Sequence, residues 1–230
     1  MALKTIVLVH GFWTDASSYR LIIPLLLAKG YEVIAVQNPL RSLDDDIETT
    51  KRALARVEGQ CLLVGHSWGG MVITAAGQDD RVAGLIYIAA LAPDVGESMA
   101  DLLSKYEPPS QYLQAQEGFI WISAIGVQQV LAQDLSVDQA GLVYATQAPP
   151  AAALITAKVN AAAWQIKPSW YVVASEDKSV PPNLQRALST RIEATTVAIN
   201  SGHLLLLSHP QEIVDVILAA AESIKSALRQ

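Results

Sequence analysis

The sequence predicts an α/β protein: a doubly wound, mostly parallel sheet with a short helical lid inserted late in the sheet. Three observations predict it. Short β-branched runs at residues 5–9, 32–36, 61–64 and 83–89 are continuously apolar, the pattern of strands covered on both faces. Helix-like segments at 17–28, 43–57 and 70–76 separate them, and such alternation implies a parallel sheet wound by crossover helices. The alternation then stops for some seventy residues and resumes.

Taken in order, the first strand, 5–9, runs into His10-Gly11-Phe12-Trp13, and the helix 17–28 and strand 32–36 follow. The helix at 43–57 opens with Asp44, Asp45 and Asp46, acids that suit the positive end of a helix dipole. Strand 61–64 leads into Gly65-His66-Ser67-Trp68-Gly69-Gly70, then helix 70–76 and strand 83–89. After Pro93 the pattern breaks. From about 94 to 164 the chain is Ala-, Leu- and Gln-rich with helical character and no clear strand, divided by Pro108-Pro109 and Pro149-Pro150. A strand at 170–174, a helix at 182–191, a strand at 195–199 and an amphipathic helix from His209-Pro210 onward complete the pattern. With no repeats or low-complexity linker, one domain over 1–230 with an insertion at about 94–164 is expected.

Composition narrows the class. Of 230 residues, 51% are hydrophobic and only 17% charged, so a sizeable core is expected and disorder is not. The net charge of -6 and pI near 5.2 exclude a nucleic-acid binder, which needs a basic surface, and charge-driven docking on an anionic membrane. Mean hydropathy is +0.29, yet the most apolar stretches, 21–27 and 82–92, fall short of the roughly 20 residues that span a bilayer. Met1-Ala2-Leu3-Lys4 runs directly into the first strand without a basic-then-apolar leader. Cys61 is the single cysteine, so no internal disulfide forms. A cytoplasmic enzyme is the expectation, and the high apolar content is compatible with a homodimer.

The chemistry concentrates in Gly65-His66-Ser67-Trp68-Gly69, a G-x-S-x-G sequence between a buried strand and a helix. A reversal that tight forces the serine into a strained conformation and leaves no space for side chains two residues away, hence the glycines. It exposes the Ser67 hydroxyl and aims the helix N-terminus at its surroundings. A P-loop is excluded because Met71 stands where Lys would be required, and G-x-G-x-x-G does not fit.

A serine nucleophile needs a base, and four histidines compete. His10 ends the first strand; His66 lies inside the turn, pointing away from the hydroxyl; His209 precedes Pro210 at a helix start, a capping position. His203, in the loop after strand 195–199, falls on the same sheet edge as Ser67 and completes the chain order Ser…Asp…His. The acid that would fix its tautomer is Asp177, after strand 170–174, with Glu176 and Asp94 as alternatives. Acyl transfer also needs donors for a developing oxyanion. The Trp68 amide, next to the nucleophile, and the Phe12 amide, after the Gly11 turn, are the candidates. Trp13, Phe119 and Trp121 are the aromatic candidates for shaping a substrate pocket, while Trp164 and Trp170 read as structural.

These motifs, with Val180-Pro181 after Asp177 and Gly202 before His203, resemble the α/β-hydrolase superfamily. More narrowly, the chain is similar to small bacterial carboxylesterases related to pyrethroid hydrolases, and to the plant methylesterase and hydroxynitrile lyase group. The resemblance spans nearly the whole chain and is weakest across the insertion. It implies hydrolysis of a small-molecule ester through an acyl-enzyme, with no cofactor and no metal. Ser67, Asp177 and His203 would be catalytic, and Phe12 and Trp68 would form the oxyanion hole. Hydroxynitrile lyases of this group carry Thr at the position of Gly11 and Lys immediately after the histidine. Here Leu204 follows His203, which favours a hydrolase over a lyase. A non-catalytic receptor on the same fold is the reading from another class.

Overall fold

The computed structural model describes residues 3–106 and 110–227. Six parallel strands form one sheet: β1 (Leu3–Val9), β2 (Glu32–Val36), β3 (Gln60–His66), β4 (Val82–Ile88), β7 (Ser169–Ala174) and β8 (Thr195–Ile199), in the order β2-β1-β3-β4-β7-β8. Successive side chains point to opposite faces, and the sheet therefore buries two cores. Ile6 and Leu8 of β1, Leu62 and Val64 of β3, and Ile86 and Ile88 of β4 pack on one side. There they meet α1 (Ile22–Ala28) and the C-terminal helix α8 (Pro210–Ala227). Val7 and Val9, Leu63, and Leu85 and Tyr87 pack on the other, against α2 (Leu43–Leu54), α3 (Gly69–Ala76) and α7 (Pro182–Arg191). Two covered faces explain why the central strands read as unbroken apolar runs. The edge strand β8 departs from that pattern, with Thr195, Thr196, Val197 and Ala198 exposed.

The predicted helix at 17–28 is in fact two pieces, a 3-10 turn at Ala16–Tyr19 and α1. Pro24 is the reason. It has no N–H to give and fits where α1 starts at Ile22, because first-turn N–H groups lack intrahelical partners anyway. The helix predicted for 43–57 ends at Leu54.

Between β4 and β7 the chain is partly helical, with α4 (Met99–Leu103), α5 (Ala124–Gly126) continuing as a π-turn (Val127–Leu131), and α6 (Val137–Ala145). The expectation of no strand there is wrong. β5 (Leu113–Gln116) and β6 (Phe119–Ile122) pair as an antiparallel hairpin. Its two-residue turn, Glu117-Gly118, has φ values of 51° and 82°, as a type I′ connection requires. The alternation of buried Ile120 and Ile122 with exposed Trp121 was legible as period two. Pro149-Pro150 lies in an irregular run, with the Pro150 carbonyl accepting from the Ile120 N–H at 2.9 Å. Pro108-Pro109 lies outside the described residues. Among the described residues, no helix is long and apolar enough to cross a membrane.

Candidate active site

The parallel sheet brings three loops to one edge. β3 ends at His66, Ser67 turns with φ 55°, and α3 begins two residues later. The turn is held on both sides, the Ser67 N–H donating to the Ile88 carbonyl (3.1 Å) and the Leu91 N–H to the Ser67 carbonyl (3.2 Å). No side chain fits beside it. A Cβ on Gly65 would lie 2.6 Å from the Gly69 carbonyl oxygen, and one on Gly69 2.3 Å from the Val9 oxygen. Ser67 is thus a non-glycine residue held in the left-handed region by its surroundings.

After β7, the tight loop at 175–180 buries Asp177, and after β8 the loop at 200–204 buries His203. His203 Nδ1 lies 2.7 Å from Asp177 Oδ2, with side-chain exposures of 3% and 0%. Asp177 is saturated with donors: Oδ1 accepts from the Ser179 (2.7 Å) and Val180 (3.0 Å) amides, and Oδ2 also from Gln185 Nε2 (2.8 Å). An ionised carboxylate is acceptor-only, so it suits four converging donors. Facing that carboxylate, a neutral His203 carries its proton on Nδ1 and presents Nε2 as an acceptor. His203 and Ser67 line the same cavity of about 400 Å³. No hydrogen bond joins them in this structure; such contacts commonly tighten only around a substrate.

Among the described residues the carboxylate paired with His203 is Asp177, and neither alternative acid pairs with it. Asp94 accepts from Gln165 Nε2 (2.9 Å) and the Val95 amide, and the Glu176 backbone is bonded by Gln133 Nε2. Among the described residues, neither the Phe12 nor the Trp68 amide donates to a protein acceptor. Their rings stack at 4.6 Å between centroids. Trp13 lines the cavity, its indole N–H donating to the Ile120 carbonyl at 2.9 Å. Phe119 and Trp121 do not line it, which corrects the expectation for both. Along β6 the side chains alternate, and Ile120 takes the cavity position. The remaining wall comes from residues that composition could not single out, among them Leu91, Met99, Leu103 and Ile155.

Five supporting roles escaped the sequence, those of Gln185, Asp134, His66, His10 and Asp46. Gln185 is fully buried in α7; besides Asp177 it donates to the Val180 carbonyl (2.7 Å) and accepts from the Ala174 N–H (2.9 Å). Gln185→Leu is expected to leave the last two groups unpaired and to destabilise the fold by about 2–5 kcal/mol, read by urea denaturation. An unchanged midpoint would show that these bonds carry no net stability.

Asp134, in the insertion, accepts from the Gly202 amide (2.9 Å) and Ser208 Oγ (2.8 Å) and so holds the His203 loop. His66 donates from Nε2 to the His203 carbonyl (2.9 Å), as a buried imidazole whose pKa is driven well below the usual value by burial and by neighbouring His203. His10 does the same work at the first loop. Its Nδ1–H donates to the Gly11 carbonyl (2.8 Å) and its Nε2 accepts from the Asn38 amide (2.9 Å), and burial lowers its pKa. His209 contacts Ser208 Oγ.

The fifth is Asp46. Read from sequence as a dipole-facing acid, it turns inward instead and is fully buried. Oδ2 accepts from the Trp68 indole (2.9 Å) and Oδ1 from the Leu40 amide (2.9 Å). No cation partners it among the described residues, and burial pushes its pKa up to about 6. Because the folded value lies above the unfolded one, near 3.8, ionisation opposes folding. Stability should fall as pH rises from about 4 through about 6 and then level, by roughly 3 kcal/mol in all. Asp46→Asn cannot ionise, so its destabilisation relative to wild type should be larger at pH 4.5 than at pH 7. Denaturation curves showing the same difference at both pH values would contradict this.

Among the described residues no group of three or more His, Cys, Asp or Glu is arranged to hold a metal ion. Cys61 is buried in β3, its thiol pushed up to about 12 by burial.

Known proteins are similar to this chain in sequence and in fold. The chain is 27% identical to the alpha/beta hydrolase nvfD of Aspergillus novofumigatus, over 96% of this chain and 98% of that one. It is 36% identical to a pyrethroid hydrolase of Sphingobium wenxiniae, over 47% of this chain and 43% of the relative. The crystal structure of a pyrethroid hydrolase from Sphingobium faniae superposes with a TM-score of 0.82 at 22% identity, covering 96% and 98% of the two chains, which shows a shared fold. The profile of the alpha/beta hydrolase family matches residues 6–216, and the chain belongs to that family.

Proposed function

We propose that this protein is a serine esterase that cleaves a small to medium, largely apolar carboxylic ester (or lactone) through an acyl-enzyme. The observation that carries the reading is the buried His203–Asp177 contact of 2.7 Å, whose histidine lines one apolar cavity with a serine held at φ 55°. Relatives named as esterases and hydrolases support it, among them a carbendazim hydrolyzing esterase of Nocardioides and methylesterase 8 of Arabidopsis thaliana.

In the proposed reaction, His203 Nε2 takes the Ser67 proton as Oγ bonds to the substrate carbonyl carbon. The carbonyl electron pair moves to oxygen, where the Phe12 and Trp68 amides donate to it, and Asp177 stabilises the imidazolium. As the tetrahedral centre collapses, His203 gives its proton to the departing alcohol. Water then repeats the sequence, His203 acting first as base and then returning the proton to Ser67. The segment between β4 and β7 acts as the lid. It supplies Met99, Leu103, Ile120 and Ile155 to the cavity wall, and those side chains set an apolar acyl or alcohol preference.

The test is turnover of p-nitrophenyl acetate, butyrate and octanoate by the wild type beside Ser67→Ala. Turnover that the variant lacks supports the reading, and the chain-length preference sizes the acyl pocket. A folded wild type with no turnover above background would overturn it in favour of ligand capture or cyanohydrin cleavage on the same scaffold.

A further inference from the structure

This inference rests on the ester-hydrolase reading and concerns which esters the site takes. We propose that the preferred substrate is an apolar ester carrying one carboxylate away from the scissile bond, and that Lys178 is the residue that binds it.

Lys178 lines the cavity together with Ser67 and His203. Among the described residues lining that cavity there is no Asp or Glu, and Lys178 is the sole permanently charged side chain against a wall that is otherwise mostly apolar. Nor is its charge spent elsewhere: no carboxylate among the described residues pairs with it. Its neighbour Asp177 is buried, with both oxygens committed to Ser179, Val180, Gln185 and His203.

The backbone that presents Lys178 is held on both sides. Gln133 bonds the Glu176 carbonyl before it, the Asp177 carboxylate receives the Ser179 and Val180 amides after it, and Ser179 Oγ donates to the Val130 carbonyl at 3.3 Å. Lys178 itself is exposed, so its ammonium stays hydrated until a substrate covers it. A neutral apolar ester makes no use of that charge. A substrate carboxylate would pair with it beside a low-dielectric wall, where attraction between charges exceeds that in open water. In a chain of net charge -6, one cation at the cavity that no carboxylate among the described residues pairs with also selects for substrate sign.

The experiment compares esters matched in length but not in charge at low ionic strength. p-Nitrophenyl hydrogen adipate is set against p-nitrophenyl hexanoate, and hydrogen suberate against octanoate. 4-Carboxyphenyl acetate against phenyl acetate places the charge on the alcohol side. The quantity read is the anionic-to-neutral ratio of kcat/KM, in wild type, K178M, K178R and K178E. In at least one pair the ratio should fall about tenfold in K178M and further in K178E, and hold within a fewfold in K178R. Adding 0.5 M NaCl (about 4 Å Debye length) should compress the wild-type ratio. Ratios unchanged between wild type and K178M in every pair would overturn the inference while leaving the esterase reading intact. Failure of the wild type to turn over any ester would instead overturn the esterase reading, and the inference with it.

Discussion

Ser67→Ala is expected to lower kcat on p-nitrophenyl butyrate by about 10⁴- to 10⁶-fold, as nucleophile removal does in serine hydrolases. The residual rate would come from the remaining amide donors and from substrate positioning alone. The variant should fold normally, because alanine is no larger than serine and inherits the same φ of 55°. That strain gives a companion expectation. Ser67→Gly should be as inactive as Ser67→Ala but more stable than it by about 1 kcal/mol, since glycine adopts positive φ without a Cβ penalty. Initial rates and urea midpoints measured side by side check both. A Ser67→Ala enzyme within tenfold of wild type would exclude serine as the nucleophile.

Asp177→Asn is the second large expected effect, about 10⁴-fold in kcat. Its cause is donor arithmetic. Oδ1 faces two backbone amides and Oδ2 faces His203 Nδ1 and Gln185 Nε2, so an asparagine must aim its NH₂ at donors whichever way it turns. The backbone amides are fixed by the loop. The asparagine oxygen should therefore turn to them, leaving the NH₂ against the histidine. His203 would then keep Nδ1 unprotonated and carry its proton on Nε2, where it cannot receive one from Ser67. Proton NMR should show loss of the downfield Nδ1–H signal in Asp177→Asn. A normal rate with that signal retained would mean that Asp177 does not set the tautomer.

How much of this was legible in the sequence follows from the kind of information each element uses. Strands and the serine turn were readable because their determinants are local: apolar runs, and glycines packed around one residue. Loops after parallel strands necessarily reach one edge, so Asp177 and His203 could be placed together from order alone. The supports could not. Gln185, Asp134 and Asp46 act through contacts 8, 68 and 22 residues away in sequence, and each is an ordinary polar residue in its own segment. Asp46 in particular satisfies the rule for a first-turn acid and is nevertheless buried, because the Trp68 indole and the Leu40 amide need a double acceptor. The hairpin β5–β6 was missed for a different reason. Its Glu-Gly turn is a weaker signal than Asn-Gly or Asp-Gly, and its first strand, Leu-Gln-Ala-Gln, has helix-favouring composition. Missing the hairpin also misassigned the pocket, since period two along β6 puts Ile120, not Phe119 or Trp121, on the cavity side.

Intact-mass spectrometry with peptide mapping tests for a covalent intermediate on Ser67. The enzyme would be quenched in acid during the first turnovers of p-nitrophenyl butyrate. The predicted result is a +70 Da butyryl adduct (the mass of C₄H₆O, about 1 per chain) confined to the peptide containing Ser67 and absent from Ser67→Ala. It should form far more slowly in His203→Ala, because acylation loses the base that takes the Ser67 proton. Ester turnover with no adduct at any quench time, or with the adduct on another residue, would mean that Ser67 is not the acylated nucleophile.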